Sequence, residues 1–208
     1  YSYVTNQSVL HLIQERAPRT LFLIAGAAVV WLIVGISVGV LSAVRRRSAI
    51  DRIAMGFALV GISAPVFWLG LMALWIFWKT LDWTAGTGYV PLTESFTGFF
   101  SHLILPWCVL ALLYAATYAR MTRNNLLETL GEDYIRTARA KGLSESRVIF
   151  RHGLRASLTP LVTMFGLDIA LGVGGAIITE SVFNLQGLGW MAVDSTFQQD
   201  LPVVVGVV

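Results

Sequence analysis

The sequence is dominated by four apolar segments, each long enough to cross a lipid bilayer as a helix. A helix needs about 20 residues to cross the hydrocarbon core. The segments are 20–44, 53–78, 102–119 and 156–183. Only the last contains charged residues, Asp168 and Glu180. Because the apolar runs are continuous and do not alternate with polar residues, they predict α-helices rather than the strands of a barrel.

The composition supports a membrane protein. Of the 208 residues, 56% are apolar and 13% are charged, whereas about a quarter of the residues in a soluble domain are charged. The chain lacks an initiator Met and ends in an apolar stretch from residue 201, which we interpret as the beginning of a further span. We therefore expect a piece of a longer chain, folded as one all-α, polytopic helix bundle over residues 1–208. The predicted spans are about 20–44, 53–78, 102–119, 156–182 and 201 onward.

The basic residues are concentrated in two of the connecting segments. Residues 45–52 and 120–155 together hold 12 of the 15 Lys and Arg residues. Lys and Arg are enriched in loops on the cytoplasmic side of a membrane. The sequence therefore predicts that these two segments are cytoplasmic and that 1–19, 79–101 and 183–200 are external.

Small residues at four-residue spacing predict close helix packing within the membrane. Gly35 and Gly39 form a GxxxG pattern in the first run, and Gly166, Ala170 and Gly174 form a stripe in the fourth. Small side chains allow helix backbones to approach one another in lipid. The pattern favours a compact bundle over a single anchor helix.

The segment 120–155 is longer than an ordinary connection between helices. The stretch from Glu132 to Lys141 is rich in helix-forming residues, with acidic residues at its start and basic residues at its end, as the helix dipole favours. Gly142 is the expected left-handed stop at a tight junction, and Ser144 can cap a following helix. The sequence predicts helix, glycine corner and helix, outside the membrane.

Tyr134, Ile135 and Ala138 fall on one side of the first of these helices, with Arg136 and Arg139 nearby. An exposed apolar strip of this kind suits insertion into a groove on another protein. It equally suits an amphipathic helix resting on anionic lipid headgroups. The pattern alone leaves both interpretations open.

The stretch DYIRTARAKGLSESRVIFRHGLR, Asp133 to Arg155, resembles the cytoplasmic loop of binding-protein-dependent ABC importer permeases, in the version of the dipeptide, oligopeptide and nickel subgroup. The stretches DRIAMGFALVGISAPVFWLG (Asp51 to Gly70) and GGAIITESVFNLQGLG (Gly174 to Gly189) are also similar to that subgroup. The resemblance runs from about residue 10 to the end of the chain.

The loop departs from the general family pattern of Glu-Ala-Ala, three residues, then Gly. Aligned on Gly142, those first three positions hold Arg136, Thr137 and Ala138, and Arg155 stands where the family has a Pro. The segment TARAKGLS is typical of the peptide subgroup.

The resemblance implies the type I permease fold of six spans, of which this chain would contain about five. It implies a second homologous permease subunit, two cytoplasmic ABC ATPase subunits and an extracellular solute-binding protein as partners, in the cytoplasmic membrane of a bacterium or archaeon. We expect no nucleic-acid partner. We expect no cofactor and no catalytic site on this chain, because it contains no GxxxxGK[ST] phosphate loop; ATP and Mg would bind to the ATPase subunits.

In this family the loop is the coupling element that docks in a cleft of the ATPase. The resemblance implies that Arg136, Arg139 and Lys141 orient the helix by charge while its apolar strip makes the fitted contact. The residues it assigns to docking and coupling are Asp133, Tyr134, Ile135, Arg136, Thr137, Ala138, Arg139, Lys141, Gly142 and Leu143.

An ionisable group inside a span is costly and is often functional. Asp168 lies halfway along the fourth run, where it could line the pathway, contact the amino group of a peptide or form a hydrogen bond between helices. Glu180 lies near the outer end, and we interpret it as structural or gating. His11, His102 and His152 are scattered along the chain, so we expect no metal site.

The resemblance implies the transmembrane subunit of an ATP-driven importer of di- or oligopeptides. An importer of nickel or another small solute is the alternative within the same fold. An ion-coupled secondary transporter, which would have broken helices and paired charges at the midplane, and a membrane scaffold whose loop recruits a soluble partner are the alternatives of other classes.

Overall fold

A computed structural model describes residues 1–207, except for the side chains of residues 173–175. The described chain is helical throughout its regular structure, as expected for an all-α protein. Its helices are α1 (Val9–Val44), α2 (Ala49–Ser63), α3 (Val66–Thr80), α4 (Phe96–Thr129), α5 (Asp133–Ala140), α6 (Glu145–Ser157), α7 (Thr159–Gly175), α8 (Ile177–Val182), α9 (Leu188–Phe197) and α10 (Leu201–Val207). The end of α3 (Leu74–Thr80) and the middle of α6 (Val148–Gly153) are wound as π-helix.

Among the described residues, two helices, α1 with 36 residues and α4 with 34, are long and apolar enough to cross a membrane. The number rises to four if the broken pairs α2–α3 and α6–α7 are each counted as one span. The break between α2 and α3 falls at Pro65, whose backbone is extended (φ −62°, ψ 132°). Proline cannot donate the helical hydrogen bond and its ring clashes with the preceding turn, which explains the interruption.

The helices extend beyond the predicted spans. α1 begins 11 residues before position 20, and α4 continues ten residues past position 119. The first part of the basic segment 120–155 is therefore the end of α4 rather than a separate connection. The limits of the hydrocarbon core along these helices stay predictions.

The chain forms two compact units, each described separately below. The first unit comprises residues 1–28, 64–111 and 169 onward. In it, a Cβ on Gly70 would lie 2.9 Å from Val182, so α3 and α8 are in close contact. A buried cluster of Leu12, Met191 and Val203 joins α1, α9 and α10.

The second unit comprises residues 29–63 and 112–168. Here the GxxxG prediction is confirmed: a Cβ on Gly35 would lie 2.7 Å from the Cβ of Tyr118, and one on Gly39 would lie 2.6 Å from the carbonyl oxygen of Ala119. The absence of both side chains allows α1 to approach α4 closely.

The other predicted stripe behaves differently. A Cβ on Gly166 would meet no heavy atom within 4 Å, and Ala170 is exposed, so these residues do not mediate close packing within the described chain. Gly174 lies outside the residues whose side-chain surroundings are described.

Candidate functional site

The helix α5 exposes a polar face. Its N-terminal neighbour Glu132 is extended (φ −68°, ψ 151°), which starts the helix at Asp133. The predicted docking residues whose side chains are exposed are Asp133, Tyr134, Arg136, Thr137, Arg139 and Lys141. Tyr134, Thr137 and Lys141 are spaced by three and four residues and therefore share one side of the helix. We refer to these three residues as the exposed stripe.

The opposite face of α5 is buried within the chain. Ile135 is fully buried and Ala138 is nearly so, and both contact the fully buried Val148 of α6. The partly buried residues packed against this cluster are Leu130 and Leu143. The expectation that Ile135 and Ala138 lie on an exposed strip is therefore wrong. The physical reason is that α6 folds back over α5 and removes their apolar surface from water.

The chain turns between α5 and α6 at Gly142, as predicted. Gly142 has a left-handed backbone (φ +75°). Its N–H donates to the carbonyl of Arg139 (2.9 Å), and the N–H of Leu143 donates to that of Ala138 (3.4 Å). This pair of hydrogen bonds, with Leu143 packed near Ala138, is a Schellman motif. The expectation that this junction is tight, with little room for a side chain at Gly142, is wrong, because a Cβ there would meet no heavy atom within 4 Å.

An ion pair connects α5 with α6. Arg139 donates from Nη2 to Oε1 of Glu145 (2.7 Å) and from Nε to Oε2 (3.1 Å). These hydrogen bonds hold the pKa of the Glu145 carboxyl below its ordinary value of 4.5. Arg136 pairs with Asp133 of its own helix (3.2 Å). Two of the three predicted orienting charges are thus already paired, and Lys141 has no carboxylate within salt-bridge distance in the described chain.

The first turn of α6 differs in one detail from the prediction. Ser144 occupies the N-cap position with an extended backbone (φ −61°, ψ 143°), but its side chain makes no capping hydrogen bond. Its carbonyl oxygen accepts the N–H of Val148 (3.0 Å).

The α5–α6 hairpin is attached to the end of α4. A Cβ on Gly153 would lie 3.1 Å from the side chains of both Leu126 and Leu130. The side-chain amide of Asn125 donates to the carbonyl of Ser157 (3.4 Å). The hairpin and the end of α4 are therefore packed together within a single compact unit.

A buried ion pair lies nearby in the same unit, and we did not predict it. Arg123 of α4 donates from Nε to Oδ1 of Asp51 (2.6 Å) and from Nη2 to Oδ2 (2.9 Å). Ser42 also donates to Oδ1, and the backbone N–H of Arg47 donates to Oδ2 (2.9 Å). Asp51 thereby connects the ends of α1, α2 and α4. The only sequence signal was a single acid among the four basic residues of 45–52, and it does not identify the partner.

Asp168 forms a hydrogen bond between helices. The hydroxyl of Tyr118 on α4 donates to its Oδ2 (2.7 Å). Tyr118 is fully buried, whereas Asp168 is half-buried. The interhelical hydrogen bond considered from the sequence is present, and Asp168 as a residue stays partly exposed.

Tyr118, the donor of this hydrogen bond, belongs to a group of neighbouring aromatic rings. Trp31 of α1 is stacked on Tyr114 at a centroid distance of 4.5 Å and an interplanar angle of 29°. Its centroid also lies 6.3 Å from that of Tyr118 and 6.2 Å from that of Phe165. Tyr114 and Phe165 are half-buried. We call Trp31, Tyr114, Tyr118 and Phe165 the aromatic cluster.

Glu180, in the first unit, is completely buried. Thr20 donates to its Oε1 (2.5 Å), and the backbone N–H of Trp190 donates to Oε2 (2.8 Å). Thr20 in turn accepts the N–H of Leu188 (2.8 Å). A Cβ on Gly187 would lie 2.4 Å from Glu180 Oε1, which leaves no room for a side chain. The carboxylate therefore caps the N-terminus of α9, where helix N–H groups favour negative charge.

Comparison with known proteins gives a consistent result. The family described as binding-protein-dependent transport system inner membrane component matches residues 35–208. The oligopeptide transport system permease protein AppB of Bacillus subtilis is 43% identical over 198 residues, 94% of this chain and 63% of that protein. A candidate peptide transport system permease protein of Brucella abortus is 42% identical over 205 residues, 99% of this chain and 65% of that protein. The chain thus spans slightly less than two thirds of the length of these relatives.

Proposed function

Since the chain belongs to the family of binding-protein-dependent transport system inner membrane components, we propose that it is the transmembrane subunit of an ATP-driven importer of di- or oligopeptides. The relatives named above are described as peptide or oligopeptide permeases, which supports a peptide as the solute. Apolar helices long enough to cross a membrane agree with a multi-pass membrane protein. The membrane is the bacterial cytoplasmic membrane.

The observation that carries the proposal is the α5–Gly142–α6 hairpin. Within it, α5 exposes a polar face, and a buried cluster holds α5 against α6. The α6 helix in turn packs against the end of α4. A rigid projecting helix can transmit a displacement to the helices behind it, because packed elements move together rather than deform.

In this account the exposed stripe contacts an ATPase subunit. Ile135, Ala138 and Leu143 hold the shape of the hairpin, and Gly142 sets its corner. Among the residues that the resemblance assigns to docking, the exposed stripe therefore touches the partner, whereas Ile135, Ala138, Gly142 and Leu143 support the stripe from within the hairpin.

The remaining partners are a second homologous permease subunit, a second ATPase subunit and an extracellular solute-binding protein. ATP and Mg bind to the ATPase subunits, and closure of those subunits moves α5. Movement of a docked helix shifts the bundle between inward-facing and outward-facing states only if docking is stronger in one of the two states.

Reconstitution in vesicles tests the function. The permease pair, the ATPase subunits and the solute-binding protein are combined, and uptake of radiolabelled trialanine is measured with and without ATP. We expect uptake to require ATP and the binding protein. Uptake driven by a sodium or proton gradient without ATP would contradict the proposal and favour a secondary transporter, and uptake of nickel but not trialanine would contradict the solute class.

Cysteine labelling tests the orientation. Glu94 and Ser146 are both exposed, so a cysteine at either position is reachable by a reagent on its own side. In a Cys108→Ser background, a membrane-impermeant maleimide should label Glu94→Cys in intact cells and label Ser146→Cys only after lysis. The reverse pattern would overturn the assigned topology.

A further inference from the structure

Asp168 is an acid in an apolar helix, and its charge is only partly compensated. Tyr118 holds one carboxylate oxygen, Oδ2. Within the described residues, no Lys or Arg lies at salt-bridge distance from Asp168, and no donor is bonded to Oδ1. A carboxylate in a membrane helix is costly unless a cation or a proton neutralises it. The half-buried carboxylate is therefore an acceptor with unused capacity.

The aromatic cluster includes Tyr118, which bonds this carboxylate. Phe165 precedes Asp168 by three residues on α7, so the two side chains are neighbours on one face of the helix. Tyr114 and Tyr118 are four residues apart on α4 and are likewise neighbours. Trp31 contacts the rings from both helices. Tyr114, Phe165 and Asp168 are all half-buried, so neither the aromatic residues nor the acid are closed off within this unit.

A carboxylate beside aromatic rings is suited to an organic ammonium group. The rings attract a cation through their negative faces, most strongly where water is excluded. The carboxylate accepts a charge-assisted hydrogen bond from the N–H groups. Magnesium and calcium ions prefer a shell of about six or more oxygen ligands, including waters, and the cluster offers aromatic carbon in place of most of them.

We propose that Asp168 and the aromatic cluster form a subsite for a protonated primary amine, the N-terminal ammonium of a transported peptide. This inference rests on the proposed peptide-import function. Asp168 contacts the ammonium, Tyr114 and Phe165 provide the adjoining ring surface, and Tyr118 is a positioning residue that orients the carboxylate. The N-terminal ammonium is common to peptides of any sequence, so a single subsite serves solutes with different side chains.

Direct binding to the complete complex in nanodiscs, without the solute-binding protein, tests the subsite. The probes are radiolabelled trialanine and N-acetyltrialanine, which differ in the amine charge. We expect the wild-type complex to bind trialanine about tenfold more tightly, the scale of one charge-assisted hydrogen bond. Asp168→Asn should reduce this preference to near unity, and Asp168→Glu should retain part of it. Tyr118→Phe, which keeps the ring and the carboxylate but removes the hydroxyl that orients the carboxylate, should retain a preference between those of wild type and Asp168→Asn.

The outcomes separate the subsite from the wider function. Equal binding of the two probes by the wild-type complex, or an unchanged preference in assembled Asp168→Asn, would overturn the subsite while leaving ATP-driven trialanine uptake intact. Loss of ATP-driven uptake in the wild-type complex would instead overturn the importer function. If Asp168→Asn fails to assemble, the wild-type comparison and Asp168→Glu still decide, because absence of an amine preference in both contradicts the proposal.

Discussion

Arg123 binds both carboxylate oxygens of Asp51, 72 positions apart in the sequence, at 2.6 and 2.9 Å. The Asp51 side chain is 5% exposed and that of Arg123 is 20% exposed. Together with Ser42, the pair fixes the ends of three helices in the unit that carries the α5–α6 hairpin. Its two-point geometry and burial distinguish it from a surface ion pair, which contributes little to stability.

The Asp51–Arg123 pair gives a first prediction. Arg123→Ala leaves a buried carboxylate without its cation, and such a loss costs about 3 kcal/mol in the free energy of unfolding, the lower end for buried pairs because Arg123 is partly exposed. The double variant Asp51→Asn/Arg123→Gln should lose less free energy of unfolding than the sum of the losses in the single variants Asp51→Asn and Arg123→Gln. Thermal unfolding of the purified complex of each variant measures this coupling, and strictly additive effects would contradict it.

The second prediction concerns Gly142, at the turn between α5 and α6. With open space around Gly142, only the left-handed backbone opposes substitution, and that conformation costs an ordinary L-residue about 1–2 kcal/mol. Gly142→Val should open the hairpin, whereas Gly142→Asn, which tolerates this backbone region, should be nearly silent. Hydrogen exchange of the amides of residues 138–143 measures the difference. Equal protection in the two variants would show that φ at this position is unimportant.

A third prediction separates the two faces of α5. Ala138→Glu places an unpaired charge in the buried cluster with Ile135 and Val148, a change that costs several kcal/mol. Ala140→Glu makes the same chemical change two residues away on the exposed side. We expect trypsin to cut rapidly after Arg139 or Lys141 in Ala138→Glu only. Similar cleavage of both variants would contradict the burial of this face.

The fourth prediction concerns pH. The pKa of Glu145 is lowered in the folded state by its hydrogen bonds to Arg139. The pair therefore stabilises the hairpin above the ordinary Glu pKa of 4.5, and this contribution disappears as the pH falls through the lowered value. Wild type should exceed Glu145→Gln in thermal stability at pH 7, and this advantage should shrink as the pH is lowered below 4.5. The magnitude should be small, because both side chains are more than one third exposed. An advantage that stays the same between pH 7 and pH 3 would contradict the assignment.

Local sequence signals predicted the local structure of this chain. The apolar runs predicted helices, and Gly142 was identified as a helix stop because few other residues adopt its backbone conformation. The close approach at Gly35 and Gly39 followed from a spacing rule that acts within one helix.

Features that depend on distant segments were not predictable in the same way. The burial of Ile135 and Ala138 results from the return of α6, which the pattern on α5 alone does not contain. Arg123 and Asp51 belong to different helices, and Tyr118 lies 50 positions before Asp168. Helical periodicity identifies which side chains share a face, but the neighbour of that face is determined by the packing of the whole unit.

In the proposed mechanism, α5 transmits ATPase movement through its exposed stripe. Thr137→Glu introduces a charge into the middle of the stripe, whereas Ser146→Glu introduces the same charge at an exposed position of α6 outside the stripe. Neither change touches the buried cluster, so both hairpins should stay folded. The measurement is ATP-dependent trialanine uptake by reconstituted vesicles, with ATPase subunits retained by the permease quantified on the same samples. Thr137→Glu should reduce uptake at least about tenfold, the effect of roughly 1.4 kcal/mol lost from docking, while Ser146→Glu should remain near wild type. Full uptake and full ATPase retention by Thr137→Glu would contradict this mechanism.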